Sequence, residues 1–228
     1  MPATLELVAV AACLVLCIAI PLGVYAGAYP KRASSKLIMS GSILGISLPS
    51  FWVGMMMIYI FAVVLRLLPA SGRGNTVMVG NVALSIFAPG GIRYVILPAI
   101  TLALTNVATM LRLTRSGILE NMRQDYIKFA RAKGVPAKSI LFGHALKNAL
   151  IPVVTIFGMD LGNMIAFTTI TETIFAWPGM GKLLIDAINK SDRPIIVAYL
   201  MAAACMFVVL NFIVDILYTL IDPRIELR

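Results

Sequence analysis

Charge is scarce in this sequence. Asp, Glu, Lys and Arg make up 13% of its 228 residues, against roughly 25% in soluble domains. That excludes an ordinary water-soluble globule with a charged surface. Histidine occurs once, at His144, and cysteine three times, at Cys13, Cys17 and Cys205. With no Cys or His cluster beside His144, no recognisable metal-ligand spacing exists. The cysteines all fall in apolar runs and read as small buried hydrophobes rather than disulfides. No G-x-x-x-x-G-K-[ST] phosphate loop is present, and Gly179-Met180-Gly181-Lys182 is too short to serve as one. The sequence therefore predicts no enzymatic site, no metal and no cofactor in this chain. Met1-Pro2-Ala3 lacks a basic start, and the apolar run after it reaches about Ala28, too long for a signal peptide.

What is abundant is apolar surface. The chain is 60% hydrophobic, with a mean hydropathy of +0.95. Runs of about 20 residues, enough to cross a hydrocarbon core of about 30 Å, lie near 4–28, 37–65, 95–119, 148–171 and 195–220. The expected fold is an all-α membrane protein, a polytopic helical bundle of about five spans forming a single domain over 1–228. The formal charge of +9 then reports orientation, not nucleic acid.

Segments 29–36, 112–147 and the tail hold thirteen of the 19 basic residues, and the intervening segments hold six. The richer side is expected to be cytoplasmic. The C-terminus then faces the cytoplasm, and five spans place the N-terminus of this chain outside. On the outer side, 66–94 is rich in Gly and Pro and reads as a surface loop. Segment 172–194 carries Trp177 and then Pro178-Gly179-Met180-Gly181, a re-entrant turn at the membrane face, followed by a short amphipathic helix from Lys182 to Asn189.

The basic island at 120–147 reads as a helix, a bend and a second helix. Tyr126, Phe129, Ala130 and Lys133 share a helical spacing. Gly134 suits a left-handed helix end, and Pro136 the first turn of the next helix, which would bring Ile140, Leu141, His144 and Ala145 to one side. Pro152 would mark the start of the following span. Ala130, Ala132 and Gly134 are small enough for another backbone to approach. Two readings stand at this level: a helix docked into a partner's groove, or a basic loop lying on anionic lipid.

The stretch "DYIKFARAKG…HALKNALIPVVTIFGMDLG" resembles the cytoplasmic signature of ABC importer permeases, in the dipeptide/oligopeptide/nickel branch. "SLPSFWVGMMMI" (47–58), "ETIFAWPGMGKLL" (172–184) and "NFIVDILYTLIDPRI" (211–225) agree. The resemblance covers nearly the whole chain. Aligned on Gly134, the family's Glu-Ala-Ala falls on Lys128, Phe129 and Ala130, so a glutamate contact does not carry over. "MPATLELVAVAA" resembles the start of the second span of such permeases, so the first span and external domain are expected to be missing.

The resemblance implies a bacterial inner-membrane subunit of an ATP-driven importer for small peptides. Nickel and glutathione permeases look alike. It implies two ABC ATPase subunits that hold ATP and Mg, a second homologous permease, an extracytoplasmic solute-binding protein, surrounding lipid and no nucleic acid. Tyr126, Phe129, Ala130, Ala132, Lys133 and Gly134 are the expected contacts with the ATPase. Glu172, Phe175, Trp177, Pro178, Gly179 and Gly181 are the expected external gate and binding-protein contact.

Three polar residues in apolar stretches are candidates for the pathway or for polar packing. A carboxylate at mid-membrane costs about 2.5–3.5 kcal/mol on insertion scales. Asp215 lies one turn from Asn211, and Asp160 sits between Gly158 and Gly162, a spacing that favours helix packing. Gly23 with Gly27, and Gly41 with Gly45, repeat it. Pro49 is expected to kink its helix, and Met55–Met57 to fill space. A secondary transporter would want more intramembrane ionisable groups than these. An inactive membrane scaffold is the other alternative.

Overall fold

The computed structural model describes the backbone of residues 1–221 and the side chains of residues 1–209, 212 and 216. Asn211 and Asp215 therefore lie, as side chains, outside the described residues. Among the described residues the regular elements are helices, apart from one short hairpin. In order come α1 (Pro2–Ala28), α2 (Ala33–Ser47), α3 (Ser50–Met57, continued as π-helix over Ile58–Val64), β1 (Val77–Val79), β2 (Val82–Leu84), α4 (Ile92–Asn121), α5 (Asp125–Ala132), α6 (Ala137–Ser139), a π-helical turn (Ile140–Ala145), α7 (Leu146–Ile174), α8 (Met180–Asn189) and α9 (Arg193–Ile221).

Among the described residues, Pro2–Ala28, Ile92–Asn121 and Ala137–Ile174 are long and apolar enough to cross a membrane. The fold is thus an all-α membrane protein, and these three match the expected spans near 4–28, 95–119 and 148–171. The run at 37–65 differs. It is two helices broken at Leu48–Pro49, not one kinked span. Pro49 has no N–H to continue α2 and instead stands extended as the residue before α3, with ψ at 134°. Counted as one, the pair brings the candidates to four. In α9, Arg193–Val209 is apolar, and its remaining side chains fall mostly outside the described residues. Pro152 lies inside α7 rather than at its start, because the helix already begins at Ala137.

Contacts group the chain into two units. Among the described residues, the first holds 1–14, 48–104 and 160–212, and the second holds 15–47, 105–159 and the stretch from 213. Both segments read as outer loops, 66–94 and 172–194, belong to the first unit. The two basic segments between helices, 29–36 and 112–147, belong to the second. In the first unit the expected surface loop is partly structured. β1 and β2 pair antiparallel with Val79 opposite Val82, across Gly80-Asn81, where Gly80 has φ at +62°. The Gly72 N–H donates to the Phe175 carbonyl at 2.8 Å, and the Tyr94 ring closes over Gly74.

In the second unit α1 packs on α4 through Gly23 and Gly27. A Cβ on Gly23 would stand 2.6 Å from the Thr114 Cβ, and one on Gly27 would stand 2.7 Å from the Ile118 Cβ. At Gly41 a Cβ would meet nothing within 4 Å, whereas Gly45, one turn on, is buried. Small-residue spacing marks a close approach only where a second helix is there to make it.

Candidate functional site

The basic elbow is built on α5. The Gln124 carbonyl accepts from the Ile127 and Lys128 amides and opens the helix. Asp125 in its first turn and Arg131 in its last suit the helix dipole. Its end is a Schellman turn: the Val135 N–H donates to the Ala130 carbonyl at 3.1 Å, and the Gly134 N–H to Arg131 at 3.0 Å. Gly134 takes φ at +77°, the left-handed conformation expected of it. The next helix starts one residue later than expected. Pro136 is the extended residue before it, and Ala137 is its first helical position.

One face of α5 is fixed. Ile127 is fully buried in a cluster with Val24, Ile118, Ile140, Ala145 and Ala149, and Ala130 and Val135 pack against it. The other face is bare. Phe129 is 62% exposed and Tyr126 40%, while Ala132, Lys133 and Gly134 are exposed. The Lys133 ammonium lies 4.5 Å from the centroid of the Phe129 ring. The Asp125–Lys128 pair, at 2.8 Å, is solvent-exposed and contributes little. Of the expected docking residues, only Ala130 is half-buried. Ile127 lies off the Tyr126–Phe129 spacing that the sequence analysis followed. The signal was there in Ile127 and Ala130, three apart, with Val135 and Ile140 beyond. In the following helix Ile140 and Ala145 are buried but His144 is exposed. The π-helical turn at Ile140–Ala145 rotates the register that a regular 3.6-residue period assumes.

The first unit gathers the 172–194 segment around the start of α1. Two residues past the end of α7, Ala176 has φ +45°, unusual for a residue other than glycine. Trp177 is fully buried, and its indole N–H donates to the Ala3 carbonyl at 2.9 Å. Glu172 is fully buried as well, and one carboxylate oxygen accepts from the Lys182 amide in the first turn of α8, where the helix dipole favours negative charge. Thr4 accepts from the Met180 amide at 2.8 Å. Gly179 lies against the Glu172 carboxylate, and Gly181 against the Thr169 backbone. Phe175 and Gly181 are buried, Gly179 is half-buried, and Pro178 is exposed. Glu172, Phe175, Trp177 and Gly181 thus hold the segment together from inside. Within it, the surface open to a partner is Pro178 with residues such as Leu183 and Ile188 of α8.

The centre of this assembly is Glu6, which the sequence reading passed over. Its carboxylate accepts from Arg73 Nε at 3.0 Å and Nη2 at 2.5 Å, from the Ser85 amide at 2.6 Å and hydroxyl at 2.9 Å, and from the Ile86 amide at 2.7 Å. Arg73 also donates to the Ala83 carbonyl and lies 5.7 Å from the centroid of the Trp177 ring. An acid inside a 27-residue apolar helix was the signal, by the same logic that singled out Asp160. Asp160 itself is half-buried in α7. Its neighbour Gly162 packs on Phe207, 2.7 Å from where a Cβ would stand.

Apolar spans, an elbow bare on one face and an internally bonded loop assembly describe a membrane-embedded transport subunit. The chain belongs to the family of binding-protein-dependent transport system inner membrane components, whose profile matches residues 19–227. It is 41% identical to the oligopeptide transport system permease protein AppB of Bacillus subtilis (strain 168) over 226 residues, covering 99% of this chain and 70% of that protein. It is 40% identical to the di/tripeptide transport system permease protein DppB of Pseudomonas aeruginosa (strain UCBPP-PA14) over 237 residues, again covering 99% and 70%. Its fold is similar to a chain of the methionine ABC transporter MetNI, with a TM-score of 0.73 at 15% identity, covering 96% of this chain and 93% of that one.

Proposed function

We propose that this chain is the membrane-spanning subunit of an ATP-driven importer of small peptides. Its permease relatives act on oligopeptides and on di- and tripeptides. The observation that carries the coupling part of this reading is the division of α5 into a buried face and a bare one. Phe129, 62% exposed on a basic elbow, fits a hydrophobic pocket on a motor protein. The residues 120–147 are then the coupling segment, on the cytoplasmic side, and ATP and Mg are bound by two separate ATPase subunits. A second, homologous permease completes the path. Segment 172–194 is the external gate and meets the solute-binding protein through Pro178 and the open side of α8.

In operation, ATP closes the ATPases and draws α5 with them. The spans fixed to α5 then rock, and the path opens to the other side, where the loaded binding protein releases its solute.

Phe129→Asp tests the reading. The side chain is mostly solvent-exposed, so the permease should still fold and insert. Co-purification of the ATPase subunits is expected to drop by about tenfold or more, the effect of losing an aromatic anchor. Uptake of a labelled dipeptide into vesicles should drop with it. Full retention of the ATPases by this variant would remove α5 as the docking element.

A further inference from the structure

We propose that Tyr126 is a positioning residue that ties the coupling helix to two spans at once, rather than a surface that grips the ATPase. The inference rests on the importer reading and specifies how motion leaves α5. The Tyr126 hydroxyl donates to Asn121 Oδ1 at 2.7 Å and accepts from Asn148 Nδ2 at 3.0 Å. Asn121 ends α4, and Asn148 lies in the first turn of α7. Asn121 is itself held in one orientation, since its Nδ2 donates to the Gly117 carbonyl one turn back at 2.8 Å. The relay thus runs from the α4 backbone through Asn121 and Tyr126 to α7.

Its placement matters as much as its bonds. Gly117 and Ala149 mark the place where α4 and α7 touch: a Cβ on Gly117 would stand 3.0 Å from the Ala149 Cβ. The relay sits at this contact, and Ile127, the next residue along α5, is buried in the cluster containing Ala149. Apolar packing holds α5 in place but is non-directional. Hydrogen bonds are directional and weaken steeply when misaligned, so they fix the angle of α5 against both spans. Phenylalanine keeps the ring and loses both bonds together, because one oxygen serves as donor and acceptor.

The test uses the whole transporter, with its second permease, ATPases and binding protein, reconstituted in liposomes and given a labelled dipeptide. For Tyr126→Phe, the ATPases should stay bound and ATP hydrolysis should remain within about twofold of wild type. The complex should melt within a few degrees of wild type. Peptide taken up per ATP hydrolysed should fall by about tenfold, the scale of two modest net hydrogen bonds lost together. Asn148→Ala breaks one of the two bonds and should uncouple in the same direction by a smaller factor, and the double variant should be no worse than Tyr126→Phe alone. An unchanged uptake-to-hydrolysis ratio, or additive losses in the double variant, overturns the relay. Loss of bound ATPase in Tyr126→Phe overturns it too, since Tyr126 would then be a docking contact. Absence of ATPase from the wild-type complex removes the importer reading itself, a failure the ratio cannot be confused with.

Discussion

Replacement of Glu6 by alanine is expected to cost the protein about 3–5 kcal/mol, the scale for removing one partner of a buried ion pair. The Glu6 and Arg73 side chains are 2% and 13% exposed. Alanine leaves the Arg73 guanidinium without its counter-charge and orphans the Ser85 and Ile86 amides, which donate to the same carboxylate. In a chain of this size that corresponds to a fall in thermal midpoint of about 10 °C, measurable on the purified protein in detergent. Glu6→Gln separates charge from shape. Every described partner of the carboxylate is a donor, and the glutamine amide presents two further donors. It should therefore be nearly as damaging as alanine. The double variant Glu6→Leu, Arg73→Leu should recover part of the loss, since it buries no unpaired charge. A Glu6→Ala protein that melts within about 2 °C of wild type would mean that the pair does not organise this end of α1.

Valine at Gly23 should be comparably severe, for a steric reason. Its Cβ would stand 2.6 Å from the Thr114 Cβ and 2.8 Å from the Leu111 carbonyl oxygen. The second of these is backbone and cannot swing away, so α1 and α4 must separate. Overpacking of this kind costs about 1–3 kcal/mol, and more where backbone must move. Gly27 makes the same approach to Ile118 and the Arg115 carbonyl, so Gly23→Val with Gly27→Val should leave little folded permease in membranes. Gly41→Val is the control. A Cβ there meets nothing within 4 Å, and its membrane level should match wild type. Equal levels of the Gly23 and Gly41 variants would remove the close helix contact.

Much of the elbow was legible because its signals are local. Gly134 lies at a helix end where a left-handed residue is needed, and a left-handed glycine is what the chain places there. The three continuous spans were legible for a similar reason, since length and apolarity need no knowledge of neighbours. The break at Leu48–Pro49 was read only as a kink, because proline announces a missing bond but not how far the chain then turns. Trp177, in a segment expected at the membrane face, is fully buried. An indole suits either setting, provided its N–H finds an acceptor. Here the acceptor is the carbonyl of Ala3, 174 residues earlier in sequence.

By itself, the sequence determined the class of protein, the main spans and the basic elbow. Hydropathy, positive charge and glycine act through the bilayer and the adjacent backbone, which are the same wherever the rest of the chain goes. Only the tertiary structure decided which side of α5 is bare, and that Glu6 meets Arg73. It alone brought Tyr126 within reach of both Asn121 and Asn148. Those facts depend on which distant groups become neighbours, and a hydrogen bond or a buried charge has no preferred partner until packing supplies one.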